Sequence, residues 1–466
     1  MTLSITQSSV RVSNLPDWVI RLQCAAFVLL YAVWILPEIV GFRNVALVVG
    51  ACTGIYSIWH YRQLVLQVRA LPLYCIAALF VWASFHLVFL SQNPELSKME
   101  YVRIWKYTAL GAVMAAGLGL SLIRADPKDY WRVIYFGLCA PVLIYLFKFG
   151  VSKIGLGLGL DVPAAIRVYE VSQPFYVPKT DYVAFCLPAL SVALGRLLAL
   201  SHLHTRWRSQ NFFDLLIQIF ISVSTLFLFT AQNIKNGFAY AVLLIIIFTV
   251  FLFFESRAKL SWQKLSVILL VIAIFGGAAS LHSQKNSSWK NLIADAKIGA
   301  QLDVYPQWKY ASEQGYPLNE FGVQVSPTNY DRVAWAIAGF QLSLEHPLGY
   351  GLIEDSFGKL AKLRWPEVSP NLSHSHSGWL DLILAVGYPG FGLIFSALLL
   401  TLFHAKSIKE PWGSFVFWAL LSNLLLWCTT EVSATVTFAT LIFWICLGSG
   451  LSLVRNTSLL AADEIA

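Results

Sequence analysis

Few polar side chains in this sequence stand where they could do chemistry, and those few are cations and imidazoles. The densest polar cluster is His374-Ser375-His376-Ser377, which abuts an apolar run beginning at Gly378-Trp379-Leu380. A neutral imidazole can take a proton from a hydroxyl, and the positive end of a helix dipole favours that neutral form. The same histidines also fit as helix caps or as side chains at the headgroup level. As metal ligands they lack companions beyond scattered acids such as Asp381 and Glu354, so no metal site is expected. Lys235 sits in Gln232-Asn233-Ile234-Lys235-Asn236-Gly237 between two apolar runs. The N-terminus of the next helix adds partial positive charge there, which makes phosphate a natural guest. Arg167, Lys179 and Arg332 complete the set, each in a longer polar segment. For Arg167 the competing reading is a solvated loop arginine.

The elements that must position these groups are membrane spans. The chain has 466 residues, of which 57% are hydrophobic and only 12% charged, against roughly 25% charged in soluble domains. Apolar runs near residues 18–37, 42–60, 71–90, 102–123, 130–147, 182–200, 212–230, 237–254, 265–282, 387–404, 413–428 and 435–454 predict about twelve transmembrane helices. All seven cysteines lie in or beside these runs, so neither a disulfide framework nor a cysteine metal site is expected. Residues 1–16 lack the features of a signal peptide, and the first span is expected to remain.

The net charge of +8 is explained by placement rather than by nucleic acid. Arg62, Arg69, Arg124, Lys128, Arg206, Arg208, Arg257, Lys259, Lys264, Lys406 and Lys409 all fall in short connections on one side. The positive-inside rule makes that side cytoplasmic, with both termini there. Two segments on the opposite side are long, about 150–181 and 283–376. The expected organisation is therefore spans one to nine over 1–282, a large outer loop over 283–376 with interfacial helices, and spans ten to twelve over 377–466. Within that loop Val333, Ile337, Phe340 and Leu344 recur at helical spacing, with Asn329 as a plausible N-cap and Pro347 and Gly349 closing the run. Arg103, Lys106 and Arg132 lie near span ends, where snorkelling accounts for them.

Asp331-Arg332 through Trp335, Glu345-His346-Pro347-Leu348-Gly349-Tyr350-Gly351, His374-Ser375-His376-Ser377 and Gly387-Tyr388-Pro389-Gly390 together resemble the signature region of the O-antigen ligase and polymerase superfamily. That resemblance implies about twelve spans, a large periplasmic loop late in the chain, and a site in the bacterial inner membrane facing the periplasm. It implies an inverting glycosyltransferase, without metal or other cofactor, acting on a glycan carried by undecaprenyl pyrophosphate, with lipid A-core as acceptor. Carried over by position, Arg167, Lys235 and Arg332 would hold the pyrophosphate and His376 would be the catalytic base, with His374 and Lys179 as auxiliaries. The family commonly has Ser-Arg-Gly where Lys235 stands, and lysine keeps the charge while losing the planar fork that grips two oxygens. A polymerase and a protein-glycosylating ligase share the same donor. From other classes, a transporter of lipid-linked glycans would show repeats and mid-membrane charges, and a receptor for the carrier would need no base.

Overall fold

The structure is a computed structural model that describes residues 15–168, 175–202, 209–254, 291–310, 313–430 and 437–454, with a few single positions between 269 and 280. The helices in chain order are α1 (Asp17–Val33), α2 (Val40–His60), α3 (Val68–Leu90), α4 (Pro94–Arg124), α5 (Pro127–Gly157), α6 (Lys179–His202), α7 (Ser209–Ala231) and α8 (Lys235–Phe254). There follow α9 (Leu292–Gly299), α10 (Pro327–Glu345), α11 (Ser356–Arg364), α12 (Gly378–Ala405), α13 (Trp412–Leu426) and α14 (Ala439–Ser452). Helices α2 to α8 and α12 are long and apolar enough to cross a membrane, and α13 and α14 are shorter apolar helices. The chain is thus an all-helical, polytopic membrane protein. The expected span at 265–282 and the polar stretch at 285–290 lie outside the described residues.

Lipid tails are as apolar as leucine, so helices in a membrane associate through close packing and satisfied polar groups rather than through exclusion of water. The α2–α4 contact shows both. A Cβ placed on Gly117 would stand 2.3 Å from Gly54 Cα, so only glycine permits this approach. Nearby, Gln23 Nε2 donates to Ser57 Oγ at 2.9 Å and Ser121 Oγ donates to the same oxygen at 3.0 Å, joining α1, α2 and α4 through a buried polar node.

Residues 291–376 build a second, smaller core from Trp308, Tyr330, Ala334, Ala338, Leu342 and Leu360. We call this part the cap. Its principal helix, α10, forms as expected, but two details differ from the sequence reading. Ser326 is the N-cap and Pro327 the first helical residue, so Asn329 is inside the helix and its side chain is used elsewhere. The stripe of Val333, Ile337, Phe340 and Leu344 is not the packing face, since Phe340 and Leu344 are 57% and 61% exposed. The buried face is Tyr330, Ala334, Ala338 and Leu342, because small side chains let α10 approach α12, where a Cβ on Gly339 would meet Leu380 at 2.7 Å. Arg103 likewise has a specific partner, the Glu354 carboxylate of the cap, rather than merely snorkelling.

The glycine-rich signature segments meet at a break in α12. Gly387 has φ +68°, and a Cβ there would stand 2.4 Å from the Leu348 carbonyl carbon; Gly349, φ +78°, would in turn meet Gly387 N at 2.5 Å. Pro389 has no N–H to offer the Ala385 carbonyl four residues back, and Gly351 N fills that acceptor at 2.8 Å. Tyr350 N takes the Leu384 carbonyl at 2.8 Å, while Tyr388 N, released from the helix ladder, donates to Pro347 O at 2.9 Å. These three bonds pair backbone groups freed by the break, as irregular backbone at a membrane requires. Glu100 of α4 accepts the Ile353 and Glu354 N–H groups, and Trp82 Nε1 of α3 donates to Val386 O at 2.7 Å. The cap is therefore fastened to the bundle through backbone groups.

Candidate active site

Lys235 owes its position to a tight reversal between α7 and α8. Asn233 takes left-handed geometry at φ +52°, its N–H donates to Thr230 O at 3.1 Å, and Ile234 N reaches back to Phe229 O at 2.8 Å. This pair of bonds is the Schellman ending of a helix, with asparagine tolerating the left-handed position and buried Ile234 supplying the apolar contact. The chain turns at once, and Lys235 becomes the first residue of α8.

A cavity of about 480 Å³ opens there between bundle and cap. Its wall includes Lys179 and Thr180 of α6, Lys235 and Asn236 of α8, and Thr328 and Arg332 of α10. Three helices begin at this wall, α6 at Lys179, α8 at Lys235 and α10 after its N-cap Ser326. Each N-terminus carries roughly half a positive charge from the helix dipole. Among the described residues lining the cavity none is acidic. Three side-chain cations and three helix starts thus face one space. Thr430, from the segment after α13, adds to the same wall a buried hydroxyl that has no hydrogen-bond partner among the described residues.

Each of two cations is fixed by an amide. Lys235 Nζ donates to Asn329 Oδ1, and Arg332 donates to Asn236 Oδ1. Asn329 is held in turn by Asp295 of α9, a fully buried carboxylate that accepts Asn329 Nδ2 at 2.9 Å, Asn319 Nδ2 at 3.0 Å and Ser326 N at 3.1 Å.

His376 lies close to this wall. It stacks on Trp335, with centroids 5.0 Å apart and planes inclined by 18°, and Trp335 follows Arg332 by about one turn of α10. Its backbone is left-handed, φ +57°, and it precedes Ser377, the N-cap of α12, so the ring is outside the helix rather than in its first turn. The loop is tied down by Asp381, whose Oδ1 accepts Ser375 N at 2.8 Å and Ser375 Oγ at 2.7 Å; His374 Nδ1 is 4.0 Å from the other carboxylate oxygen. Asp331 is buried one turn before Trp335 and accepts the Tyr316 hydroxyl at 2.7 Å. Burial raises its carboxyl to about 6, against the lowering pull of the Tyr316 hydrogen bond and of nearby His376.

The structure therefore brings Lys179, Lys235 and Arg332 to one cavity and seats His376 beside it. Arg167 is not in that wall. Its guanidinium pairs with Asp161 Oδ1 at 2.8 Å and donates to Val162 O at 2.7 Å. Sequence reasoning offered Asn236 and Gly237 as backbone donors but missed the side chains of Asn236, Asn329 and Thr430 as parts of the site. For Asn329 a signal was present, since Ser326-Pro327 is the N-cap and first-position pattern that leaves Asn329 free for another role.

These features define a polytopic helical membrane protein whose bundle and cap enclose a cation-lined cavity with a histidine at its side. Residues 219–395 match the family model described as O-antigen ligase, which supports the O-antigen ligase superfamily and a membrane enzyme of ligase or transferase type. The matched stretch contains Lys235, Arg332, His374 and His376 and begins after Arg167 and Lys179. None of the curated proteins compared matches the chain.

Proposed function

We propose that the protein is an inverting glycosyltransferase that takes a glycan from undecaprenyl pyrophosphate on the periplasmic face of the bacterial inner membrane and joins it to lipid A-core. The observation that carries this reading is the cavity itself, in which Lys179, Lys235, Arg332 and three helix N-termini converge with no carboxylate among the described residues that line it. Such a site matches a compact polyanion at a membrane surface, and a lipid pyrophosphate is one.

In the reaction the acceptor oxygen attacks the anomeric carbon from the side opposite the pyrophosphate. Its O–H bond breaks with the proton passing to His376, a C–O bond forms, and the bond to the pyrophosphate breaks with its electron pair leaving on the lipid carrier. The cations stabilise the charge that grows on that leaving group, so the work left to the protein is orientation and one proton transfer. The stack on Trp335 holds the imidazole plane, and Asp331 stabilises the imidazolium once the proton has arrived. Arg167 joins the phosphate site in this reading only by exchanging Asp161 for a phosphate, and His374 supports the loop that carries His376.

The test is transfer in membranes with purified lipid A-core, a lipid-linked glycan or a protein acceptor supplied in turn. Transfer to lipid A-core should fall about 10²- to 10⁴-fold in His376→Ala at unchanged protein level. Undiminished transfer in that variant would remove His376 from the mechanism, and transfer to either other acceptor alone would make the enzyme a polymerase or a protein ligase. Net movement of lipid without covalent transfer would make it a carrier.

A further inference from the structure

We infer that Thr430 is a substrate-binding residue whose hydroxyl, unpaired until the ligand arrives, donates a hydrogen bond to a phosphate oxygen of the donor. The inference rests on the pyrophosphate reading above and adds to it a contact that carries no charge. Thr430 lines the cavity together with Lys235 and Arg332, yet the residue is only 1% exposed, and its Oγ1 has no hydrogen-bond partner among the described residues.

Two adjacent threonines end the described segment after α13, and they are used differently. Thr429 commits each of its polar groups to α8. Its N–H donates to the Tyr240 hydroxyl at 2.9 Å, its Oγ1 shares a hydrogen bond with the same hydroxyl at 2.6 Å, and its carbonyl accepts Asn236 Nδ2 at 3.2 Å. The other end of the segment is fixed to α12, where Trp379 N donates to Trp427 O at 3.1 Å and Trp379 Nε1 donates to Leu424 O at 2.9 Å. Helix α12 begins at Gly378, just after His376, and α8 begins at Lys235. The segment thus joins the helix that follows the imidazole to the helix that starts with a cation. Its neighbours hold Thr430 at the wall, and its own hydroxyl takes no part in that attachment.

A buried hydroxyl without a partner is unfavourable, because water bonds it in the unfolded chain and nothing replaces that bond inside. A ligand that supplies the missing acceptor removes this penalty with no protein hydrogen bond to break. Rotation about χ1 alone moves a threonine hydroxyl from one staggered position to another, so the oxygen can turn toward an occupant of the cavity while the backbone stays in place. The occupant that suits this wall is anionic and rich in acceptors, since Lys179, Lys235 and Arg332 line it and none of the described lining residues is acidic. An O–H donor bonds a charged phosphate oxygen more strongly than a neutral acceptor.

Calorimetry with inorganic pyrophosphate on the purified full-length protein, combined with thermal unfolding of the same samples without ligand, tests the inference. The wild-type protein should bind. Thr430→Val, which replaces the hydroxyl by a methyl group, should bind at least about tenfold more weakly, with a melting temperature equal to that of wild type or higher because an unpaired buried hydroxyl is gone. Thr430→Ser keeps the donor and should bind within about threefold of wild type. A lower melting temperature in Thr430→Val would show that the hydroxyl is bonded within the protein and would overturn the inference. If wild type and Thr430→Val bind equally well, the pyrophosphate reading stands and the hydroxyl has no part in it. If the wild-type protein does not bind pyrophosphate, the pyrophosphate reading fails and the assignment of Thr430 fails with it.

Discussion

Lys235 and Arg332 on one side and Arg167 on the other are cations on the same expected face of the protein, yet they are held in opposite ways. The first two lean on asparagine amides across a cavity; the third is paired to the Asp161 carboxylate. Lys235 and Arg332 line the cavity, whereas Arg167 lies outside its wall and must give up the Asp161 carboxylate to meet a phosphate. The comparison ranks residues that sequence resemblance places side by side, and it explains why formal charge alone is a poor guide to a binding site.

Replacing an amide-held cation should have the largest effect. Arg332→Ala or Lys235→Ala is expected to lower transfer about a hundredfold, mainly through weaker binding of the donor, because each removes a charge-assisted contact of up to about 3 kcal/mol. Steady-state transfer against donor concentration checks this, and a loss under threefold would break the comparison at its stronger end.

Asp331 shows a carboxylate used for a different purpose, beside an imidazole that must accept a proton. With its carboxyl near 6, Asp331 is ionised above that pH and neutral below it, so transfer should fall as pH drops through about 6. Asp331→Asn should cost several-fold at neutral pH and remove the fall in transfer that Asp331 produces as pH drops through about 6. A profile identical to wild type would detach Asp331 from the site.

Arg167→Ala should cost the least, less than about threefold, the range of an exposed ion pair that contributes little. Asp161→Asn, which releases the guanidinium, should leave donor affinity unchanged or improve it slightly. A hundredfold loss in Arg167→Ala would place Arg167 on equal footing with Arg332 and overturn the ranking.

How much of this was readable beforehand follows from which signals are local. Hydropathy located the spans to within a few residues at α2, α3 and α7, because lipid demands uniformly apolar surface. It missed the first turns of α4 and α12, which leave the apolar zone to meet the cap at Glu100 and Asp381. Lys235, Arg332 and His376 stood out because charge and imidazole are rare in such a chain. The outward turn of the Phe340 and Leu344 stripe could not be read, since periodicity finds an apolar face without saying which surface it meets. The two amide–cation hydrogen bonds were invisible for a similar reason. Asparagine is common in turns and caps, and only the meeting of α8 with α10, about ninety residues apart, gives Asn236 and Asn329 a different use.

The most direct test of the central claim is an experimental structure of the protein with an undecaprenyl-pyrophosphate-linked glycan bound, in which the two phosphorus positions are located. Both should lie in the cavity between α8 and α10, within contact of Lys235 and Arg332, with the anomeric carbon toward His376. A diphosphate resting on Arg167, with Asp161 displaced and the cavity between Lys235 and Arg332 unfilled, would contradict it.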